Sequence, residues 1–364
     1  MVKATSANQW KNTNAVIEWF EKIKTTPNSS FITFDVVNFY PSITKDIMKK
    51  TVAFAKKHTS ISTIEEKIIY QAKNTLLFHH DHAWSKSDTN DLFDVTMGSY
   101  DGAETCELVG TYILSEISKI IPNTNIGLYR DDGLAIVHET PQKAEKIKKE
   151  LCRKFREIGL KITANANVTI TDFLDVSFDL RKKEYKPYSK PGNAPIYVHA
   201  KSNHPPTIIA GISQSIETRL SSISSNQHLF NSAKPTYETT LKAAGHDKRL
   251  NYKPKNVLQD SAQHRKRRNI TWYNPPYSQH GKTNIGKKKF LALVDKHFPK
   301  GHELHKIFNK NKLKISYSCM NNMESIIAAR NNKYIHEDPN PEQSKCNCRN
   351  KMERSCLEKV PVRI

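Results

Sequence analysis

Apolar positions along the first 180 residues alternate between two periods. Residues 12–24 (NTNAVIEWFEKIK) repeat apolar side chains at helical spacing behind Asn12 or Thr13, either of which can cap a first turn. Residues 31–36 (FITFDV) form a short β-branched and aromatic run, read as a buried strand. Residues 43–58 return to an amphipathic helical pattern, and a further helix is predicted at 62–78. The stretch 79–91 (HHDHAWSKSDTND) is polar and reads as a loop. Residues 101–120 repeat apolar side chains every three or four positions over about five turns and give the clearest helix.

Two short apolar strands follow, IGLY (126–129) and LAIV (134–137), around Arg130-Asp131-Asp132-Gly133. Asp-Gly between such runs predicts a hairpin turn. Residues 141–159 begin with Pro and end with Gly, the usual punctuation of a helix. The runs LKI (160–162) and FLDVSFDL (173–180) are further strands. Strand, helices, hairpin, helix, strands is an α+β order: a small antiparallel sheet with helices on one face. The pattern changes near residue 200. Residues 213–230 look helical, whereas 245–290 carry KPK, RKRR and KKK with few large aliphatics and read as loosely structured. No repeat of 20–50 residues is present.

Charge sharpens that boundary. Of 364 residues, 57 are Lys or Arg and 36 Asp or Glu, a net charge of +21. Residues 1–180 hold 22 basic and 23 acidic side chains, whereas 181–364 hold 35 and 13. The whole excess therefore lies in the second half, which calls for a polyanionic partner, most simply nucleic acid. No run approaches the ~18 apolar residues of a membrane span, and the first residues lack a signal-peptide core. Six cysteines, sparse and uneven, do not make a disulfide framework; a reducing nuclear or cytoplasmic location is expected.

The candidate chemistry lies in carboxylates. Asp35 sits inside an apolar strand, a costly place for a charge without a partner. Asp131 and Asp132 sit at a hairpin tip, where Asp alone is ordinary turn chemistry. One small sheet can bring all three together, and three converging carboxylates repel unless divalent cations bridge them. Two Mg²⁺ ions about 3.5–4 Å apart are the arrangement used for in-line phosphoryl displacement.

At this point the residues resemble a family. FDVVNFYPSI (34–43), MGSYDGAETCELVGTYIL (97–114), LYRDDGLAIV (128–137), GLKI (159–162) and FLDVSF (173–178) resemble, in order, the palm motifs of reverse transcriptases. FYPSI and FLDV are most similar to the Penelope-like retroelement branch. The likeness continues through 202–226, where that branch enters its thumb, and through WYNPPYS (272–278), KHFPKGHELHKIFN (296–309) and KCNCRN (345–350). The resemblance implies a right-hand polymerase palm over residues 1–200, a thumb-like helical region at 201–245, a basic nucleic-acid-binding connector at 246–335 and a Cys-containing tail at 336–364.

It also implies roles. Asp35 and Asp131 would ligate both Mg²⁺ ions, with Asp132 as a third carboxylate and the Val36 carbonyl completing the shell. Tyr40 would stand under the incoming sugar and exclude a 2′-hydroxyl; its alternative is core packing. Gly98 would let backbone approach the templating pair or the nucleotide; its alternative is an ordinary turn. Met97 and Ser99-Tyr100-Asp101 depart here from the commoner Gln and Ser-Pro. Lys161 would protonate pyrophosphate, and Arg130 would touch the primer backbone; either side chain is otherwise simply solvated. Substrates would be dNTPs, an RNA template and a DNA primer. Only about 30 residues precede the first motif, so the basic fingers that grip a triphosphate are expected to be missing or encoded elsewhere, and no GIY-YIG nuclease pair is present.

In the basic half, Arg265, Lys266, Arg267, Arg268 and Lys287, Lys288, Lys289 are dense clusters, with Trp272, Tyr273 and Tyr277 interleaved. Phosphate neutralisation with base stacking is the functional reading, and a solvated linker or import signal the plain one. Cys346, Cys348 and Cys356 offer zinc three thiolates, with His336 or Cys319 as fourth ligand, although Cys-x-Cys is tighter than the usual spacing. His79, His80 and His82 read as solvated. Two other functions remain open: a catalytically silent truncated remnant that binds nucleic acid, and a metal-dependent nuclease using the same carboxylates.

Overall fold

Strand β2 (Ser30–Val36) is the hub of the first half, and its alternation decides what lies on either side. In the computed structural model, residues 5, 7–74, 77–79, 82–84, 93–254, 270–277, 286–319, 327 and 330 are described. The chain divides into two compact units, one holding Met1–Tyr188 and the other Ser189–Ser344.

In the first unit, β1 (Asn8–Gln9), β5 (Ile126–Tyr129), β6 (Asp132–Val137), β2 and β7 (Ile162–Val168) form one sheet in the order β1-β5-β6-β2-β7. All neighbours are antiparallel except the parallel edge pair β1–β5. Ile32, Phe34 and Val36 turn to one face. There they join Ile47 and Val52 of α3 (Lys45–Lys56), Val109 and Ile113 of α5 (Gly102–Ile117), and Leu151 and Phe155 of α6 (Pro141–Ile158). Each fully buried side chain of this size contributes about 1.5–3 kcal/mol.

The opposite face is not bare, which corrects the expectation of helices on one face only. Phe31 points there and meets Phe20 of α1 (Thr13–Lys22), with ring centroids 6.3 Å apart. Phe20 in turn packs 4.9 Å from Phe178 in a separate sheet of β8 (Ile170–Phe173), β9 (Val176–Asp179) and β10 (Glu184–Pro187). The aromatic at an odd position of β2 needs its own cover, and α1 supplies it.

Most predicted elements are present with their caps. Asn12 accepts the Ala15 N–H at 3.1 Å and starts α1. A one-turn helix, α2 (Phe39–Ser42), follows β2. Helix α4 (Thr63–Gln71) opens on a Ser62–Glu65 capping box but stops at Gln71, well short of residue 78. Part of the expected polar loop is a hairpin, β3 (Leu77–His79) paired with β4 (His82–Trp84), which sets His79 opposite His82.

In the second unit the segment read as one helix at 213–230 is two, α7 (Pro206–Ser222) and α8 (Gln227–Ala243). The break comes where Asn226 caps the new helix by accepting the Leu229 N–H at 2.9 Å. Leu220, Phe230, Leu241 and Leu250 form its small core. Carboxylates and a hydroxyl then pin the outgoing chain. The Leu250 N–H donates to Glu238 (2.8 Å), Asn251 N–H to Glu217 (3.0 Å) and Lys253 N–H to Ser221 Oγ (3.1 Å). The region expected to be loose contains β11 (Thr271–Tyr273), β12 (Pro276–Tyr277) and α9 (Lys287–His297). β11 and β12 pair in parallel with β13 (Leu313–Ile315) and β14 (Ser318–Cys319) respectively. Among the described residues, no helix is long and apolar enough to cross a membrane.

Candidate active site

Asp35 is the next-to-last residue of β2, so both neighbouring strands hold its backbone. It stands opposite Asp132 of β6 and opposite Thr163 of β7. The Val36 N–H donates to the Asp131 carbonyl at 3.0 Å and the Val37 N–H to the Lys161 carbonyl at 2.9 Å. Directly opposed residues of an antiparallel pair share a face. Asp35 and Asp132 therefore share the face of Phe31 and Thr33, away from α3, α5 and α6. The Asp35 side chain is exposed, while Val36 is 2% exposed and its side chain belongs to the buried core on the other face.

The hairpin tip differs from the expected Asp-Gly turn. Tyr129 pairs with Asp132, which leaves Arg130-Asp131 as the two-residue loop and puts Asp132-Gly133 inside β6. Arg130 takes the left-handed conformation the turn needs, with φ 56°. Gly133 serves packing instead: a Cβ there would lie 2.1 Å from Cζ of Phe34, its cross-strand partner. The close approach of Phe34 to the Gly133 backbone is what seats β2 against the hairpin beside the carboxylates.

Electrostatics tie Asp131 to Asp35. Partial burial raises the Asp35 carboxyl above its ordinary range, and the negative charge of Asp131 raises it further. Asp131 also reaches Tyr40 on α2, whose phenol is raised first by burial and then by Cys106, against the opposing charge of Arg130. The Tyr40 hydroxyl hydrogen-bonds the Cys106 thiol, which burial pushes up to about 12. Asp35, Asp131, Tyr40, Arg130 and Cys106 thus form one electrostatic neighbourhood. An oxygen-only pair of carboxylates that repel one another suits a hard divalent cation such as Mg²⁺. Among the described residues, no three or more His, Cys, Asp or Glu side chains lie close enough together to hold a metal ion. Asp132 is associated with the pair by strand register.

The Gly98 turn leads into α5. Gly98 has φ 89°, and a Cβ built on it would meet nothing within 4 Å, so its glycine answers to backbone conformation and open space. Two neighbours were not visible in the sequence. Lys73, only 2% exposed, pairs with Asp101 at 2.6 Å and so ties the end of α4 to the start of α5. Gly102 lies under Tyr40, with an added Cβ 3.7 Å from Tyr40 Cε1 and 2.7 Å from Ser99 Oγ. A buried lysine between two helices has no local sequence signal, because its partner is far along the chain.

Of the remaining candidates, Lys161 adjoins the end of β2 through its carbonyl, which accepts the Val37 N–H, and it is exposed. Lys287, Lys288 and Lys289 are exposed on the first turn of α9, and Trp272 is 52% exposed on β11. Arg265, Lys266, Arg267 and Arg268 lie outside the described residues, as do Cys346, Cys348 and Cys356 with His80 and His336.

No family model matches the chain, and no curated protein matches it. Solved polymerases do. Telomerase from Candida albicans, in complex with a TWJ fragment of telomeric RNA, aligns with TM-score 0.46 and 8% identity, covering 67% of this chain and 45% of that one. Apo telomerase from Candida tropicalis aligns with TM-score 0.41 and 13% identity, over 65% and 47%. The RNA-dependent RNA polymerase of a human picobirnavirus gives 0.42 and 12%, over 67% and 51%. The chain spans about half the length of these solved chains. At such scores and identities the likeness is one of outline.

Proposed function

We propose that the chain is an RNA-directed DNA polymerase, the reverse transcriptase of a Penelope-like retroelement. The observation that carries this reading is the mutually repelling Asp35–Asp131 pair, with Asp132 in register beside it on one sheet face. The order of the five sequence motifs supports it further. Mg²⁺ held there by Asp35 and Asp131 would supply the positive charge that activates a primer 3′-hydroxyl and stabilises departing pyrophosphate.

The chain's own residues do the rest. Asp35 and Asp131 would hold the cation, Asp132 would stand by as a third carboxylate on the strand face it shares with Asp35, and the Val36 carbonyl would add an uncharged oxygen. Tyr40, braced by Cys106, forms the wall that limits the sugar. Gly98 leaves space for the nucleotide and templating base. Lys161 donates a proton to the leaving pyrophosphate. dNTPs, an RNA template and a DNA primer are the partners, and Arg265–Arg268 and Lys287–Lys289 neutralise template–primer phosphates. A nuclear or cytoplasmic setting and zinc at Cys346, Cys348 and Cys356 belong to the same proposal.

The test is primer extension. Purified chain given Mg²⁺, dTTP and oligo(dT) annealed to poly(rA) extends the primer, and Asp131→Asn does not. Extension that survives Asp131→Asn overturns the assignment of the site. Mg²⁺-dependent cleavage without synthesis selects a nuclease, and salt-sensitive binding without either selects a silent remnant.

A further inference from the structure

The second unit carries a ribbon whose two faces differ. β11 and β13 run parallel, with Thr271, Trp272 and Tyr273 opposite Leu313, Lys314 and Ile315. Side chains alternate across a strand, so Tyr273, Leu313 and Ile315 share one face and Trp272 with Lys314 the other. The first face is partly covered. Tyr273 stacks one side of its ring on Phe290 of α9, with ring centroids 5.4 Å apart and planes 7° from parallel, yet stays 46% exposed, and Leu313 is 7% exposed. On the second face Trp272 is 52% exposed, and the Lys314 ammonium lies 5.6 Å from its ring centroid.

The sequence pattern treats Trp272, Tyr273 and Tyr277 alike; the structure separates them. Tyr273 is engaged by Phe290, and Tyr277 meets Tyr317 at 5.6 Å. Among the described residues, Trp272 is the one of the three with a cation over its ring. A half-exposed indole on a strand, held by backbone pairing on one side and by a lysine over its ring, is a preorganised stacking platform. The surroundings are strongly cationic: residues 286–319 contain nine lysines and two carboxylates. An aromatic face with an adjacent ammonium in a basic field is complementary to an unpaired base and its phosphate. A duplex hides its base faces and offers only the phosphates.

We infer that the Trp272–Lys314 face is a binding site for an unpaired nucleic-acid strand. Trp272 stacks on a base, and Lys314 neutralises the neighbouring phosphate. The inference goes beyond the polymerase reading and does not need it, because binding is read without Mg²⁺ or nucleotide.

Fluorescence anisotropy of full-length chain tests it with labelled oligouridylate, oligothymidylate and a duplex of equal length. Trp272→Ala weakens binding of the single strands about tenfold and of the duplex less than about twofold. Trp272→Phe, which keeps a stacking face and guards against misfolding, retains most single-strand affinity. Lys314→Ala weakens single-strand binding a few-fold and reduces the slope of log K against log salt by about 0.7, one phosphate contact. Either sugar supports the site, and the tighter arm names the strand. Trp272→Ala that leaves single-strand binding unchanged, or weakens duplex equally, overturns the inference. Trp272→Phe as damaging as Trp272→Ala also overturns it, since stacking then is not the interaction.

Discussion

Asp35 and Glu217 are both carboxylates beside a backbone the fold depends on, yet their environments push them in opposite directions. Glu217 lies on α7 in the helical unit. Burial alone would raise its carboxyl, but the Lys253 ammonium at 2.8 Å and the Asn251 N–H bring it below its usual range. Asp35 lies near the end of the internal strand β2, where burial and the charge of Asp131 raise it. One carboxylate has been given its counter-charge by the chain. The other faces a like charge, on an exposed side chain. A fold that needs a carboxylate supplies its partner; two carboxylates set against each other are the arrangement that the proposed cation would relieve. The same division runs through the charge of the molecule, which is near neutral over the first 180 residues and strongly basic after them.

The largest expected effect breaks the comparison at its functional end. Asp35→Asn should lower Mg²⁺-dependent primer extension by at least about a hundredfold, the scale of losing one charge-stabilising group in a reacting centre. Affinity for a template–primer, measured by anisotropy without metal, should stay within about twofold. Glu217→Gln should do the reverse. It leaves Lys253 without its carboxylate and weakens the anchor on Asn251, and should cost about 2 kcal/mol of stability in the helical unit. A thermal melt reads that loss. Its pH dependence follows from the sign: the depressed carboxyl contributes stability above its ordinary value near 4.5, and that contribution disappears as pH falls through the lower folded value. The wild type and Glu217→Gln should therefore converge in acid. Convergence at neutral pH instead would mean that the Lys253 pairing does not hold the outgoing chain.

Gly133→Ala probes what sets Asp35 in register. The new methyl would meet the Phe34 ring, and overpacking of this kind costs about 1–3 kcal/mol. Because Gly133–Phe34 is the pair next to Asp132–Asp35, extension should fall along with melting temperature. Phe34→Leu in the same background, which vacates ring volume, should recover part of both. Loss of stability with unchanged extension would separate the seating of the strand from the chemistry.

How much of this was legible depends on whether the deciding partner is local. The helix at residues 141–159 could be read because Pro141 and Gly159 punctuate it, and β2 because five of six consecutive residues carry β-forming side chains. Asp35 stood out as a charge inside that run. The Asp-Gly pair misled because its glycine answers to Phe34, a residue about a hundred positions earlier, and the true turn is Arg130-Asp131. The break between α7 and α8 carries no Gly or Pro, only the side chain of Asn226 turning back on its own helix. Lys73 reads as one more surface lysine until Asp101 is placed against it. Register and ion pairing across long separations are what local pattern omits, and they decide which candidate residues meet.

The smallest effect sharpens the comparison most, because it asks about stability at a site argued to exist for chemistry. A raised carboxyl means that the native state binds a proton more readily than the unfolded chain does. At neutral pH ionised Asp35 therefore opposes folding slightly, and the opposition fades as pH falls through the raised folded value and is gone below the ordinary value of 3.8. Asp35→Asn should stabilise the sheet unit at neutral pH. The gain should be under about 1 kcal/mol, because the side chain is exposed and water screens the repulsion. In acid the variant and wild type should melt together, which is the opposite of the Glu217 case only in the sign of the neutral-pH difference. Millimolar Mg²⁺ gives the discriminating arm. If the Asp35–Asp131 pair takes up a divalent cation, Mg²⁺ should raise the melting temperature of the wild type and not of the variant, so that the variant's advantage shrinks or reverses. An advantage that persists unchanged in Mg²⁺ would make the pair a plain like-charge contact, and the contrast with Glu217 would then concern strain alone.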